Sequence, residues 1–334
     1  MNPQTITAAA SGTWNLGDLR VNRIGFGAMR ITQAGAAFDP AAAPSDRDRA
    51  IGVLRRAVEL GVNHIDTAAF YFSRLRSANE LINRALAPYP DDLVIATKVG
   101  PGRDPSGAWM THATTAEQLR GQVEQNLREL GRDHLDVVNL RISGDGADSI
   151  AERFGALADL REAGLIRHLG LSNVRPHHLA EAQAIAPVVC VQNAYGLGFD
   201  PEQQAEQREF IRLCGEQGVA YVPFYALAGR SREAGLRPAA ATDAAATDIA
   251  TNADSRGDAV CAVARARGVS PAQLRLAWTL HLGEHVLAIP GTGNPDHLAD
   301  NIAAGALRLS EDELRLLDPD GQDGRTGARA GLRR

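Results

Sequence analysis

One side chain stands out before any element is assigned. Of the 35 basic residues in this 334-residue chain, 34 are arginine and only Lys98 is lysine. In a chain so rich in arginine and alanine, a lone lysine marks a position that a guanidinium cannot fill. Arginine spreads a permanent charge over a broad plane, whereas lysine carries a compact cation on a thin stem. Lys98 ends the run Leu93-Val94-Ile95-Ala96-Thr97-Lys98, and Asp66 stands near the end of Asn63-His64-Ile65-Asp66-Thr67. Both runs have strand character, so both side chains are expected at strand ends. A buried lysine needs a counter-charge, which Asp66 offers. Tyr71 follows Asp66 by five residues. A phenol beside that ammonium would ionise at roughly 7–8 instead of about 10. Such a phenol can donate a proton to a carbonyl that is receiving hydride. Alone, the aspartate could be a turn cap and the tyrosine a packing residue; the solitary lysine ties them together.

The elements that must position these groups are legible as short apolar runs. They cover Val21 to Ala28, Val62 to Thr67, Leu93 to Val99, Leu135 to Arg141, Ile166 to Asn173, Val188 to Tyr195, Val219 to Leu227 and Val286 to Pro290. Runs apolar on both faces suit parallel strands covered by helices. Amphipathic stretches lie between them: Arg47 to Leu60, Ala116 to Leu130, Ala151 to Ala163, Glu202 to Gln217, Asp258 to Arg267 and Pro271 to Leu282. Eight strands alternating with helices predict an α/β fold, a (β/α)8 TIM barrel forming a single domain over residues 1–334. A doubly wound sheet is the runner-up. Its glycine-rich turn fails here, because Gly25-Phe26-Gly27-Ala28-Met29-Arg30 lacks the third glycine. Thr13 to Leu16 and Leu19 to Asn22 flank Gly17-Asp18 and read as an N-terminal β-hairpin plugging one barrel end. Residues 229–257 lack an apolar stripe and are read as a flexible lid loop, and residues 324–334 as a loose tail.

Composition excludes several functions. A formal net charge of -5 offers no basic face for nucleic acid. No apolar stretch is long enough to span a membrane, and the first twelve residues do not read as a secretion signal. Cys190, Cys214 and Cys261 are widely spaced in apolar company and read as reduced thiols, which points to the cytoplasm. No metal is expected: His64 and Asp66 alternate on one strand, but no second histidine or carboxylate cluster follows. His112, His134, His168, His177 and His178 read as solvated.

The blocks Gly25 to Arg30, Asp66-Thr67-Ala68-Ala69-Phe70-Tyr71 and Ala96-Thr97-Lys98 are similar to those of the aldo-keto reductase superfamily. The likeness continues in Leu169 to Asn173, Val191-Gln192-Asn193 and Ile289-Pro290-Gly291-Thr292. The resemblance implies a TIM barrel that uses NADPH, with NADH as the other candidate, to reduce a small-molecule carbonyl substrate. It makes Asp66, Tyr71 and Lys98 three members of a catalytic tetrad, with Tyr71 the proton donor. The usual fourth member is histidine; here the fourth strand ends in Arg141, which resembles a bacterial pyridoxal-reductase-like branch. Arginine cannot act as acid or base but can donate to a developing oxyanion, so Arg141 is both a catalytic and a substrate-binding candidate.

The resemblance further implies that Ser172, Asn173 and Gln192 hold a nicotinamide carboxamide while Phe224 stacks on its ring. Met29, Arg30, Asp66, Tyr225, Ala226, Leu227, Gly229 and Ile289 complete that half of the cofactor site. Gly291, Thr292 and Gly293 precede a helix whose N-terminus favours phosphate, and His297, Asp300 and Asn301 match the adenosine end. Phe70, Phe72 and Trp109 are substrate-side candidates that suit a flat aromatic ring. The competing reading is a nicotinamide-nucleotide-binding regulatory protein with little turnover. A monomer or weak homo-oligomer is expected.

Overall fold

The computed structural model describes residues 6–35, 38, 41–104, 109–110, 112–143, 148–199, 201–227 and 255–319. The chain opens with a hairpin of β1 (Thr13–Leu16) and β2 (Leu19–Asn22), in which Leu16 pairs with Leu19 across Gly17-Asp18. The barrel staves follow: β3 (Phe26–Gly27), β4 (His64–Asp66) and β5 (Val94–Val99), then a small antiparallel pair, β6 (Gly102–Arg103) and β7 (Trp109–Met110). After it come β8 (Leu135–Arg141), β9 (Ile166–Ser172), β10 (Val188–Gln192) and β11 (Ala220–Tyr221). The seven staves form one parallel sheet in the order β11-β10-β9-β8-β5-β4-β3. Residues 286–288 close the ring by single bridges, Val286 to Tyr221 on one side and Ala288 to Ile24 on the other. The expected (β/α)8 barrel is therefore present, with its eighth stave reduced to bridges.

The expected first strand, Val21 to Ala28, divides in two. Its beginning belongs to the hairpin, and the Arg23 guanidinium leaves the sheet to bond the backbone oxygens of Val286, Leu280 and Gly283. Val219 to Leu227 likewise shortens to β11, with a further bridge from Phe224 to Ala194.

Ten helices among the described residues surround the sheet: α1 (Arg47–Glu59), α2 (Ala78–Leu86), α3 (Ala116–Leu130), α4 (Ala151–Glu162) and α5 (Pro176–Gln183), then α6 (Pro201–Glu216), α7 (Ser255–Arg267), α8 (Pro271–His281), α9 (Pro295–Ala303) and α10 (Glu311–Leu317). Their starts are written in the sequence. Thr115 and Ser270 each form a capping box with the glutamine three residues on, and Gly131 ends α3 at φ 63°. Of the expected lid, residues 229–254 lie outside the described residues and 255–257 begin α7; the tail also lies outside.

Two apolar layers result. The larger lies between staves and helices. The smaller fills the barrel with Val94, Ala96, Val137, Cys190, Ala220 and Leu287, and Leu16 and Val21 of the hairpin pack beneath it. The hairpin is thus the plug at the amino end of the staves. Its turn is pinned from β9: Arg167 and His168 both reach Asp18, at 2.6 Å each. Those ion partners hold the Asp18 carboxyl far below the usual range. One histidine expected in solvent is not there: His178 is fully buried, where its Nε2 meets the carbonyl of Asp148 at 3.1 Å, while His168, in β9, stays partly exposed.

His64 precedes Asp66 by two residues and shares its face of β4. Its ring fills the space that Gly25 leaves; a Cβ on Gly25 would come within 2.2 Å of it. Neither ring nitrogen has a partner, and burial pushes the pKa down to about 4. At neutral pH the ring is uncharged in both folded and unfolded chains. Between pH 6.5 and 4 the unfolded chain takes up a proton that the folded one refuses, so folding weakens as pH falls. The expected loss is about 3 kcal/mol across that window. Urea unfolding at pH 7 and 4.5 checks this: His64→Gln should lose most of that acid sensitivity, and an unchanged difference contradicts it.

Candidate active site

Asp66 and Lys98 stand at the carboxyl ends of adjacent parallel staves, where barrels of this kind open toward their functional loops. Pairing of Asp66 with Ala96 sets the two side chains two residues apart in register, on the same face. The Lys98 Nζ donates to both Asp66 oxygens, at 2.7 and 2.8 Å, and to the Thr67 carbonyl at 3.0 Å. All three donors of the ammonium have acceptors, and the side chain is only 2% exposed. The three acceptors converge on one point, which a compact ammonium occupies and from which a broader guanidinium would have to stand back. Burial lowers the Lys98 pKa, and the adjoining Asp66 carboxylate opposes that shift. Tyr71 is also buried, and the ammonium lies 4.8 Å from its ring centroid.

Gln192, at the end of β10, completes this layer. Its Nε2 donates to Asp66 Oδ2 at 2.7 Å, while its buried Oε1 has no partner. Arg141 ends β8. Its Nη1 donates to Ser172 Oγ at 2.9 Å, and its Cζ lies 4.9 Å from the Phe224 ring centroid. Among the described residues no carboxylate forms an ion pair with Arg141.

These groups face a cavity of about 300 Å³. Asp66, Tyr71, Arg141 and Gln192 supply its polar wall. Met29, Arg30, Phe70, Phe224, Tyr225, Ala226, Leu227, Ile289 and Gly291 also line it, as the sequence led us to expect. Gly27, Phe38, Pro223, Leu276 and Pro290 join them without having been expected. Phe38 was detectable only as an isolated aromatic in the Ala- and Gly-rich stretch before α1. It lies 6.0 Å from the Tyr71 ring and 6.5 Å from that of Phe70, and Phe70 meets Tyr71 edge-on at 5.1 Å. The three rings make one aromatic wall.

Other expected residues stand apart from the wall. Ser172 is occupied by Arg141, and Asn173, at φ 59°, turns its Nδ2 to the Ile142 carbonyl at 2.9 Å. Phe72 lies under Arg103 instead. Gly229 and the Trp109 side chain fall outside the described residues. Thr292 and Gly293, just before α9, and His297, Asp300 and Asn301, within it, do not line the cavity. Thr292 Oγ1 accepts from the Asn294 N–H at 3.0 Å, and Asn294 caps the helix through the Asp296 N–H at 2.9 Å.

The backbones of Gly27 and Gly291 meet closely between the cavity and α9. A Cβ on Gly27 would lie 2.6 Å from the Ile289 oxygen, and one on Gly291 2.4 Å from the Gly27 oxygen. Arg30 borders this bare strip, its Nη1 donating to the Gly35 carbonyl at 2.6 Å. A flat group could rest on the cavity floor with its amide N–H directed at Gln192 Oε1, and an anionic extension could run past Arg30 toward the start of α9. Such a dinucleotide-shaped path fits the residues present. No cluster of three metal-ligating side chains occurs among the described residues, nor is any described helix long and apolar enough to cross a membrane.

Residues 23–319 match the aldo/keto reductase family. The chain is 41% identical over 314 residues to a pyridoxine 4-dehydrogenase of Escherichia coli strain K12, covering 92% of this chain and 98% of that protein. It is 32% identical over 305 residues to a probable aldo-keto reductase 1 of Glycine max, covering 88% of this chain and 84% of that one. An aldo/keto reductase from Klebsiella pneumoniae, solved with NADP and acetate, is similar with a TM-score of 0.67 and 26% identity, over 90% of this chain and 91% of that one. Barrel, strand-end pair and extended sequence identity converge on a single assignment: this chain belongs to the aldo/keto reductase family.

Proposed function

We propose that the protein is an NADPH-dependent carbonyl reductase of small aldehydes or ketones, aromatic or anionic in character, with Tyr71 as proton donor. The observation that carries this reading is the buried ammonium of Lys98, held by Asp66 and Thr67 and placed 4.8 Å from the Tyr71 ring. When bound, the reduced nicotinamide supplies hydride to the carbonyl carbon. The Tyr71 hydroxyl then gives its proton to the carbonyl oxygen, and an alcohol leaves. Lys98 favours the phenolate this creates, while Asp66 fixes the ammonium and moderates its field. Gln192 offers Oε1 to the carboxamide, and Phe224 shields one ring face, so the reacting carbon is oriented and kept from water. Arg30 lies where the negative charge of a dinucleotide would pass, which favours the cofactor path drawn here. The pyridoxine 4-dehydrogenase relative supports a pyridine alcohol–aldehyde pair as the substrate class. The alternative of a low-turnover nucleotide sensor gains nothing from a polar layer this complete.

The test is NADPH oxidation with a panel of aldehydes that includes pyridoxal, in wild type and Tyr71→Phe. Turnover that depends on Tyr71 supports the reading; none with any aldehyde, despite cofactor binding, supports the sensor instead. Arg141 is read as the selector for an anionic or strongly accepting oxygen beside the carbonyl. Arg141→His is therefore expected to lower kcat/KM for pyridoxal about tenfold or more relative to a neutral benzaldehyde, the size of one charge-assisted contact. Equal changes for both substrates contradict that role.

A further inference from the structure

The hairpin β6–β7 leaves the barrel directly after the stave that ends in Lys98 and Val99. Gly100 makes this exit possible. It sits at φ 116°, and a Cβ there would lie 2.3 Å from the Arg141 carbonyl. Its N–H is held by Gln122 Oε1 at 2.7 Å, and its carbonyl accepts from the Ala113 N–H at 2.8 Å. The root of the hairpin is thus fixed, and it carries Arg103 back over the loop that bears Tyr71.

That loop satisfies only part of its own backbone. The Tyr71 N–H bonds the Ala68 carbonyl at 2.9 Å, and the Tyr71 carbonyl accepts from the Ala78 N–H at 2.9 Å. The carbonyls on either side take their bonds from another segment: Arg103 Nη1 donates to the Phe72 carbonyl at 2.7 Å and, more weakly, to that of Phe70 at 3.4 Å. Buried backbone acceptors need such partners. The guanidinium also lies 4.4 Å from the Phe72 ring centroid and 5.2 Å from that of Phe38. Arg103 is 7% exposed.

We propose that Arg103 is a positioning residue for the proton donor, bracketing Tyr71 through its two neighbouring carbonyls and holding the phenol against Lys98. The inference rests on the reading of Tyr71 as proton donor. The loops after three staves meet at this one cation: Phe38 from the first, Phe70 to Phe72 from the second, and Arg103 from the third. Loss of the bracket frees the loop to carry the phenol away from the ammonium without removing any group that touches substrate or cofactor.

The test uses Arg103→Ala and Arg103→Lys with NADPH and pyridoxal. Each is expected to lower kcat about ten- to hundredfold, the cost of misplacing a reacting group by a fraction of an ångström to an ångström. NADPH affinity, read by fluorescence titration, should stay near that of wild type. The alkaline limb of the kcat profile should move to higher pH, because the phenol has lost part of the ammonium's support. Millimolar guanidinium ion should restore part of the turnover of Arg103→Ala, while Arg103→Lys, able to fill only one contact, should recover little without it. Wild-type kcat and an unmoved limb in the variants would overturn the proposal, as would a loss that guanidinium fails to restore with the limb unmoved. Should Arg103→Ala not fold, the limb and kcat of Arg103→Lys decide the matter. Tyr71→Phe in the same assay separates the two readings: if it keeps its turnover, the donor assignment has failed; if it is inactive while Arg103 variants are normal, only the bracket has.

Discussion

Tyr71→Phe is expected to lower kcat by roughly 10²- to 10⁴-fold, the usual contribution of a positioned general acid. The loss should fall on kcat and kcat/KM together, because the removed interaction exists only as negative charge develops on the carbonyl oxygen. NADPH binding should be unchanged. The substitution deletes one oxygen and keeps the ring, so the edge-on contact with Phe70 and the tilted contact with Phe38 survive. Near-wild-type thermal stability should accompany the loss. Stopped-flow or steady-state NADPH oxidation, with cofactor fluorescence as the binding control, checks each part.

Lys98→Met has the second large effect, and it acts on both activity and stability. Removing the ammonium leaves the Asp66 carboxylate buried at 4% exposure, with Gln192 as its remaining side-chain donor. Breaking one side of a buried ion pair costs about 3–5 kcal/mol. The double variant Lys98→Met with Asp66→Asn removes the stranded charge and should recover most of that stability. It should not recover turnover, which is expected to stay at least about 10²-fold below wild type, since a phenol without its cationic neighbour is a weaker acid at neutral pH. Recovery of activity along with stability would mean that Lys98 serves the fold alone. Lys98→Arg should restore no more turnover than Lys98→Met: the Asp66 carboxylate can receive a guanidinium fork, but the bulkier group cannot put its charge at the point where the three ammonium bonds converge.

Much of this site is legible in the sequence. The lysine count singled out residue 98, and the run endings placed Asp66 and Lys98 at strand ends, because burial on both faces leaves a plain trace in an apolar run. Hidden features were those decided by distant segments. Val286 to Pro290 reads as a strand, yet it joins the barrel through isolated bridges, since its neighbours β3 and β11 are only two residues each. Helices α5 and α10 are hard to see because eight and seven residues carry too few turns for a clear stripe, whereas α2 was missed although Ala78, Leu81, Ile82 and Ala85 do form a buried stripe. Gln192 was expected to face a carboxamide, but its bond to Asp66 depends on two staves that are 126 residues apart in sequence. Phe38 and Arg103 act through loop geometry, to which neither periodicity nor composition responds. Solvation was misjudged for His178, whose position at the start of α5 looks exposed but is covered by the segment around Asp148.

A fixed ammonium should make the phenol of Tyr71 unusually acidic. That acidity can be measured without turnover by ultraviolet titration of tyrosinate in wild type and Tyr71→Phe. The protein has five tyrosines, and the difference between the two curves isolates residue 71. The expected difference signal appears well below the ordinary phenol value of about 10 and moves upward when Lys98→Met with Asp66→Asn is the background. A difference signal at or above the ordinary value, indifferent to residue 98, would contradict it.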